Sequence, residues 1–356
     1  MLKVFLCSFA IAAVSTWVAI KLATKFNILD FPAERKIHAK PIPLLGGVAV
    51  FFAYVVALLV NFRFSWQLKG VVISATFIML AGLVDDVKGL SAGIRLLVQT
   101  LGALLLISFG VYINIIPDNW PFAFPIEVFI TVLWIVGITN ALNFIDGVDG
   151  LAAGLTMIAA GTFFVIASQT GQGYFAFLNI ALVGACLGFV IFNFYPARIF
   201  LGDAGSSFLG FTLASLAVMG EWAEGRPIVA LSVPVLVLAV LIFDMIYITV
   251  SRIGRGKVKS FKEWIEYVGT DHLHHRLIGL GFSQRQTVLF VYFICIIFSV
   301  GALILKEATA YQAILLLLQG AFVLVSLAIL MIVGRSHMDR SRLYEDRLKE
   351  LRGEAL

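Results

Sequence analysis

Apolar runs long enough to cross a bilayer recur along the whole chain, and they limit its fold more than any other feature. The first is Val4 to Ile20; others follow near 46–62, 68–84, 93–112, 126–145, 151–168, 174–193, 207–222, 228–250, 287–305 and 311–333. Most approach the ~17–25 residues that a spanning helix needs. Inside lipid every backbone N–H and C=O must be paired within the protein, which leaves helices or closed barrels. Barrel strands alternate in polarity, and these runs do not. The chain is 61% hydrophobic and 13% charged, against ~45–50% apolar residues in a soluble domain. The reading is an all-α integral membrane protein of about eleven transmembrane helices. Residues 1–334 form one polytopic domain, and 335–356 a charged helical tail, solvated or self-associating, which would suit a homodimer.

Charge orients the runs. Lys3 precedes the first, whereas Lys21, Lys25, Arg35, Lys36 and Lys40 follow it. A signal peptide has the opposite bias, so an uncleaved span with its N-terminus outside is expected. Eleven crossings then leave the C-terminus in the cytoplasm. Loops placed inside collect Arg95, Arg198, Arg252, Arg255, Lys257, Lys259, Lys262, Arg276 and Arg285; those outside hold Lys3, Arg63, Lys69, Arg226 and Lys306. Topology thus accounts for the net charge of +5, and nucleic acid is not indicated. Cys7, Cys186 and Cys295 stand singly in apolar runs, which excludes a disulfide framework and a cysteine zinc site.

With this orientation the unusual polar residues fall on the cytoplasmic side, in loops 24–45, 85–93, 140–151, 193–207 and 251–286. Asn140, Asn143 and Asp146 recur every three residues and share a face if the helix continues that far; Asp149 follows. Asp85 and Asp86 end a descending helix, where the dipole disfavours carboxylates by ~0.3–1 kcal/mol, so a metal ion or basic side chains should offset them. Asp203 lies between Gly202 and Gly205, just before a helix start near Ser207 that offers N–H groups to an anion. A hard cation bridging Asp203 to a phosphate would reconcile the two. In the long loop 251–286, His272, His274, His275 and Arg276 lack zincin spacing and fit phosphate better than zinc. His38, Lys40 and Arg95 are further cytoplasmic bases. Asp244, inside a run, either serves the site or pairs with Arg252 or a neighbouring helix. Phe261, Trp264, Ile265 and Val268 predict a short amphipathic helix, at the inner leaflet or buried in the loop. A transporter would instead gather its polar groups near the midplane, often on inverted repeats, and no repeat is visible.

Five motifs, in order along the chain, resemble the polyprenyl-phosphate N-acetylhexosamine-1-phosphate transferases. They are Pro32 to Gly47 with Arg35 and His38, Val84-Asp-Asp86, Asn140 to Gly150, Asn193 to Gly205, and Asp271-His-Leu-His-His-Arg276. That family is similar to the phospho-MurNAc-pentapeptide transferases, which carry three consecutive histidines; His-Leu-His-His here favours the UDP-GlcNAc branch. The resemblance implies transfer of N-acetylglucosamine-1-phosphate from UDP-GlcNAc to undecaprenyl phosphate, releasing UMP, with Mg²⁺ or Mn²⁺, at the cytoplasmic face of a bacterial inner membrane. This is the first membrane step of a cell-surface glycan. On this reading Asp203 binds the metal, while Asp85 or Asp86 orients or deprotonates the lipid phosphate. Asn143, Asp146, Asn193 and, more weakly, Asp149 recognise uridine or support the metal. His272, His274, His275, Arg276, Lys40, Arg95 and His38 meet the phosphates, with His274 and His275 in catalytic roles. Some members carry an acid three residues beyond the Asp pair; Gly89 stands there, so that metal role is not carried over.

Overall fold

The computed structural model describes residues 1–32, 40–60, 65–117, 119–223, 225–267, 269 and 271–352, with side chains as far as Val333. It is helical almost throughout. Helices α1 (Leu2–Lys25), α2 (Gly46–Leu59), α3 (Trp66–Lys88), α4 (Ala92–Ser108) and α5 (Ala123–Ile145) are followed by α6 (Leu151–Gln169), α7 (Gly173–Asn193) and α8 (Gly202–Met219). Then come α9 (Pro227–Val237), α10 (Ala239–Gly254), α11 (Phe261–Glu266), α12 (Leu273–Gly279), α13 (Gln284–Ile304) and α14 (Ala310–Arg352). Serines mark several starts: Ser65 and Ser91 accept from the N–H groups of Leu68 and Ile94, and Ser283 forms a capping box with Gln286.

Each of the predicted runs holds a helix. Among the described residues seven helices are long and apolar enough to cross a membrane, or eight if α9 and α10 count as one span. The apolar helices α2 and α4 have only 14 and 17 residues, and α8 begins with Gly202-Asp203 and two serines. The expected single span at 228–250 is broken: α9 and α10 meet at Leu238 with a bend of 77°, because Leu238 leaves the helical region at φ −99°, ψ 13°. A short antiparallel ribbon, β1 (Leu29–Asp30) with β2 (Ile42–Pro43), is a further departure from the all-helical expectation. It forms after Asn27 turns the chain at φ 56°.

The core is built around α8. Every residue from Ala204 to Ala217 is buried, and α2, α3, α5 and α6 pack on it. A helix enclosed on all sides cannot keep a polar stripe, and two of its serines turn onto their own backbone, Ser206 onto Gly202 O at 2.9 Å and Ser215 onto Phe211 O at 2.7 Å. The tightest approach is to α2. A Cβ on Gly47 would lie 2.2 Å from both the Cα and the N of Gly205, so the two backbones touch with no side chain between. Gly46 N and Gly47 N donate to Phe200 O and Leu201 O at 3.0 and 2.9 Å, and Phe200 N donates to Pro43 O. The ribbon and the start of α2 are thereby fastened to the loop that enters α8. At the predicted amphipathic segment, Ser260 caps α11; Phe261 is exposed and stacks on Trp264. Val268 lies outside the described residues.

Candidate active site

The start of α8 organises the site. The expectation of a helix beginning near Ser207 is corrected: α8 begins at Gly202, so Asp203 stands in its first turn. Its free N–H groups are not left to an anionic ligand. Asp86, from the end of α3, takes them, accepting from Asp203 N at 2.7 Å and Ala204 N at 3.0 Å. One helix ends with a carboxylate and the next begins on it, so the favourable N-terminal dipole of α8 offsets the unfavourable C-terminal end of α3. Gly202 makes room, since a Cβ there would lie 2.6 Å from Asp86 Oδ2, and its φ is +71°.

Asn143, near the end of α5, completes this corner. Its Nδ2 donates to Asp203 Oδ1 at 2.7 Å and to Ser206 Oγ at 2.8 Å. Asn140, a turn earlier, faces elsewhere and pairs with Gln99 of α4. Asp85 is buried, accepts from Leu90 N at 2.6 Å, and meets Arg95 Nε at 3.4 Å. Here the expected basic offset is present, and it is Arg95.

Beyond α5 the turn 146–150 carries two more carboxylates. Asp149 Oδ2 accepts from Ala197 N at 2.8 Å. Asn193, buried at the end of α7, ties the same pieces together: its Oδ1 accepts from Gly150 N at 3.0 Å and its Nδ2 donates to Ile199 O at 2.9 Å. Asp146 caps α5 and is partly buried. Burial first, then the charges of Asp203, Asp86 and Asp149, hold its carboxyl well above the usual carboxylate range.

These groups line one cavity of about 750 Å³. Of the predicted site residues it brings together Lys40, Asp85, Asp86, Asn143, Asp146, Asp149, Asn193, Asp203 and His275. Arg95, His272, His274 and Arg276 are not on its wall, and His38 lies outside the described residues. Asp30, Tyr195 and Gln284 join the wall without having been anticipated. Asp30 had a signal, as an acid within the same cytoplasmic loop as Lys40, whereas nothing in sequence marked Tyr195 or Gln284.

The histidine segment is folded inward more than its sequence suggests. His272 Nδ1 lies 2.7 Å from Asp244 Oδ2, so Asp244 serves this segment and not Arg252. Arg252 instead grips Asp271, with Nε to Oδ2 at 3.0 Å and Nη2 to Oδ1 at 2.7 Å, a bidentate pair. Burial opposes ionisation of Asp271, but the hydrogen bonds and charge of Arg252 outweigh it and hold the carboxyl below its ordinary value. Arg276 donates from Nε to Asp271 O at 2.8 Å and lays its guanidinium on Tyr247, 4.9 Å from the ring centre. His274 is fully buried under Gly147, and neither ring nitrogen has a hydrogen-bond partner among the described residues. Burial, then His275 and His272, push its pKa well down, so it is neutral near pH 7. Of the three, His275 alone reaches the cavity wall.

No group of three or more His, Cys, Asp or Glu side chains among the described residues is arranged as a metal site. A magnesium-type site does not need one, because Mg²⁺ is usually held by one or two carboxylates, waters and substrate phosphates. The oxygen-only donors and the carboxyl groups crowded on one wall, with Asp146 pushed upward, fit such a cation.

The model of glycosyl transferase family 4 matches residues 68–221, which include the Asp pair, the Asn143–Asp149 turn and Asp203. A Bacillus subtilis (strain 168) protein named "Probable undecaprenyl-phosphate N-acetylglucosaminyl 1-phosphate transferase" is 34% identical, over 88% of this chain and 87% of its own length. The decaprenyl-phosphate N-acetylglucosaminephosphotransferase of Mycolicibacterium smegmatis is 33% identical, over 80% of this chain and 77% of its own. An Escherichia coli K12 protein named undecaprenyl-phosphate alpha-N-acetylglucosaminyl 1-phosphate transferase is 27% identical, over 80% and 78%. Likeness of this degree over most of both chains places the protein in the family of polyprenyl-phosphate N-acetylhexosamine-1-phosphate transferases.

Proposed function

We propose that this protein transfers N-acetylglucosamine-1-phosphate from UDP-GlcNAc to undecaprenyl phosphate, releasing UMP and leaving undecaprenyl-diphospho-N-acetylglucosamine. The observation that carries the reading is the meeting of Asp86, Asn143 and Asp203, from three helices, in one acidic cavity. An acceptor phosphate oxygen attacks the sugar-bearing phosphorus of the donor, and the bond to the bridging oxygen breaks so that UMP leaves. A phosphate monoester has a second pKa of about 6, so the nucleophile is already largely ionised at neutral pH. The protein's task is then to align two anions and neutralise their charge.

Asp203, fixed by Asn143, would hold Mg²⁺ or Mn²⁺ with help from Asp146, and the cation would supply charge neutralisation on the diphosphate. Asp86 sets the position of Asp203 by capping its helix. Asp85, braced by Arg95 from outside the cavity wall, and Lys40 with His275 stand where they can orient the phosphates. Asn193 and Asp149 hold the floor on which the nucleotide would rest. The positive-inside pattern of the loops supports a cavity that opens to the cytoplasm, where nucleotide sugars are made, in the bacterial inner membrane.

Purified protein given UDP-GlcNAc, undecaprenyl phosphate and Mg²⁺ should release UMP, stop on addition of EDTA, and prefer UDP-GlcNAc to UDP-MurNAc-pentapeptide. Absence of UMP release with any UDP-N-acetylhexosamine would end the reading; a preference for the pentapeptide donor would move the chain to the other branch. Within the histidine segment, His275→Ala should lower turnover by about 10²-fold or more with the melting temperature retained. Wild-type turnover in that variant would make the segment structural only.

A further inference from the structure

Two buried charged residues of α10 remain outside the reaction just described. Asp244 is completely buried, and both of its oxygens are engaged by the start of α12: Oδ2 with His272 Nδ1 at 2.7 Å and Oδ1 with Leu273 N at 2.7 Å. Further along α10, buried Arg252 holds Asp271 by two hydrogen bonds. Three consecutive residues, Asp271, His272 and Leu273, are thus clasped to one helix. Removing one partner of such a buried pair leaves the other uncompensated, so the attachment resists displacement. Helix α12 has seven residues and His275 is its third. In so short an element the placement of the first turn decides where that ring points.

We infer that Asp244 is a positioning residue: through His272 and Leu273 it sets the first turn of α12 and thereby holds His275 on the cavity wall. The inference rests on the transferase reading only for the role of His275; the placement itself is independent of it. A capping carboxylate that merely stabilised the fold would affect turnover in proportion to stability. A positioning carboxylate acts through one side chain, and that difference can be measured.

The test is a double-mutant cycle with a labelling control. Asp244→Asn should lower kcat about tenfold, with the KM for UDP-GlcNAc within about twofold of wild type. In a His275→Ala background the same change should cost nothing further, since both substitutions remove one effect. Equal losses in the two backgrounds would overturn the inference, as would an Asp244→Asn enzyme with wild-type kcat. Independently of turnover, His275→Cys is labelled with a charged maleimide. Adding Asp244→Asn should change its labelling rate several-fold, while Ala197→Cys, which lines the same cavity from the segment between α7 and α8, keeps its rate. An unchanged rate at 275 overturns the positioning role whatever the activity. A changed rate in a protein that never releases UMP would retain the positioning role and reject the transferase reading.

Discussion

Asp203→Asn should reduce Mg²⁺-dependent UMP release by about a thousandfold or more while leaving the fold in place. The size follows from the loss of a preorganised charge at the point where phosphate charge must be neutralised. Preservation of the fold follows from what the substitution leaves alone. Asp86 is held by the backbone N–H groups of residues 203 and 204, which the change does not touch. Asparagine matches aspartate in size, and its amide oxygen can still accept from Asn143 Nδ2, which lies 2.7 Å from Asp203 Oδ1. Only the negative charge is removed. Circular dichroism and thermal melting in detergent should therefore match wild type while turnover collapses. An Asp203→Asn enzyme that retains Mg²⁺-dependent turnover would strip Asp203 of its metal role.

Gly47→Ala should be the most damaging change outside the acidic cavity. Its Cβ would sit 2.2 Å from the Cα and N of Gly205 and 2.8 Å from Leu201 O. All three are backbone atoms, so no rotamer change relieves the contact and α2 must move away from α8. Overpacking in a tight core typically costs ~1–3 kcal/mol, and sometimes more. Here the displaced segment also carries Gly46 and Gly47, whose N–H groups are bound to Phe200 O and Leu201 O. Gly205 is two residues from Asp203, so the shift should reach the corner where Asp86, Asn143 and Asp203 meet and lower activity beyond the loss of folded protein. Gly93→Ala, where an added Cβ meets nothing within 4 Å, is the matched control. Melting of Gly47→Ala at the wild-type temperature would show that the helices part more easily than their geometry indicates.

Much of the site was legible in the sequence because the relevant signals are local. Spacing by three put Asn140, Asn143 and Asp146 on one face, and the last two do share the cavity while Asn140 turns to Gln99; isolated carboxylates at the ends of apolar runs stood out against the cost of leaving them there. What escaped the sequence was the pairing across distance. Asp85 and Asp86 called for positive charge, but only the fold shows Arg95 supplying it to one and the start of α8 to the other. Asp86 and Ala204 are 118 residues apart, and nothing local reports that contact. The inward fold of the histidine segment escaped for a related reason. His-Leu-His-His-Arg reads as a phosphate-binding cluster, yet Asp244 and Tyr247 of α10 draw His272 and Arg276 inward, and His274 is packed beneath Gly147. The bend at Leu238 was equally hidden, since an apolar run keeps its hydropathy whether straight or broken.

Mn²⁺ binding followed by electron paramagnetic resonance, with UDP-GlcNAc present, tests the acidic cavity directly. Wild-type protein should hold one Mn²⁺ with phosphorus coupling from the donor diphosphate, and Asp203→Asn should lose it. A bound-Mn²⁺ signal with the same phosphorus coupling in both proteins would contradict the placement of the cation on Asp203.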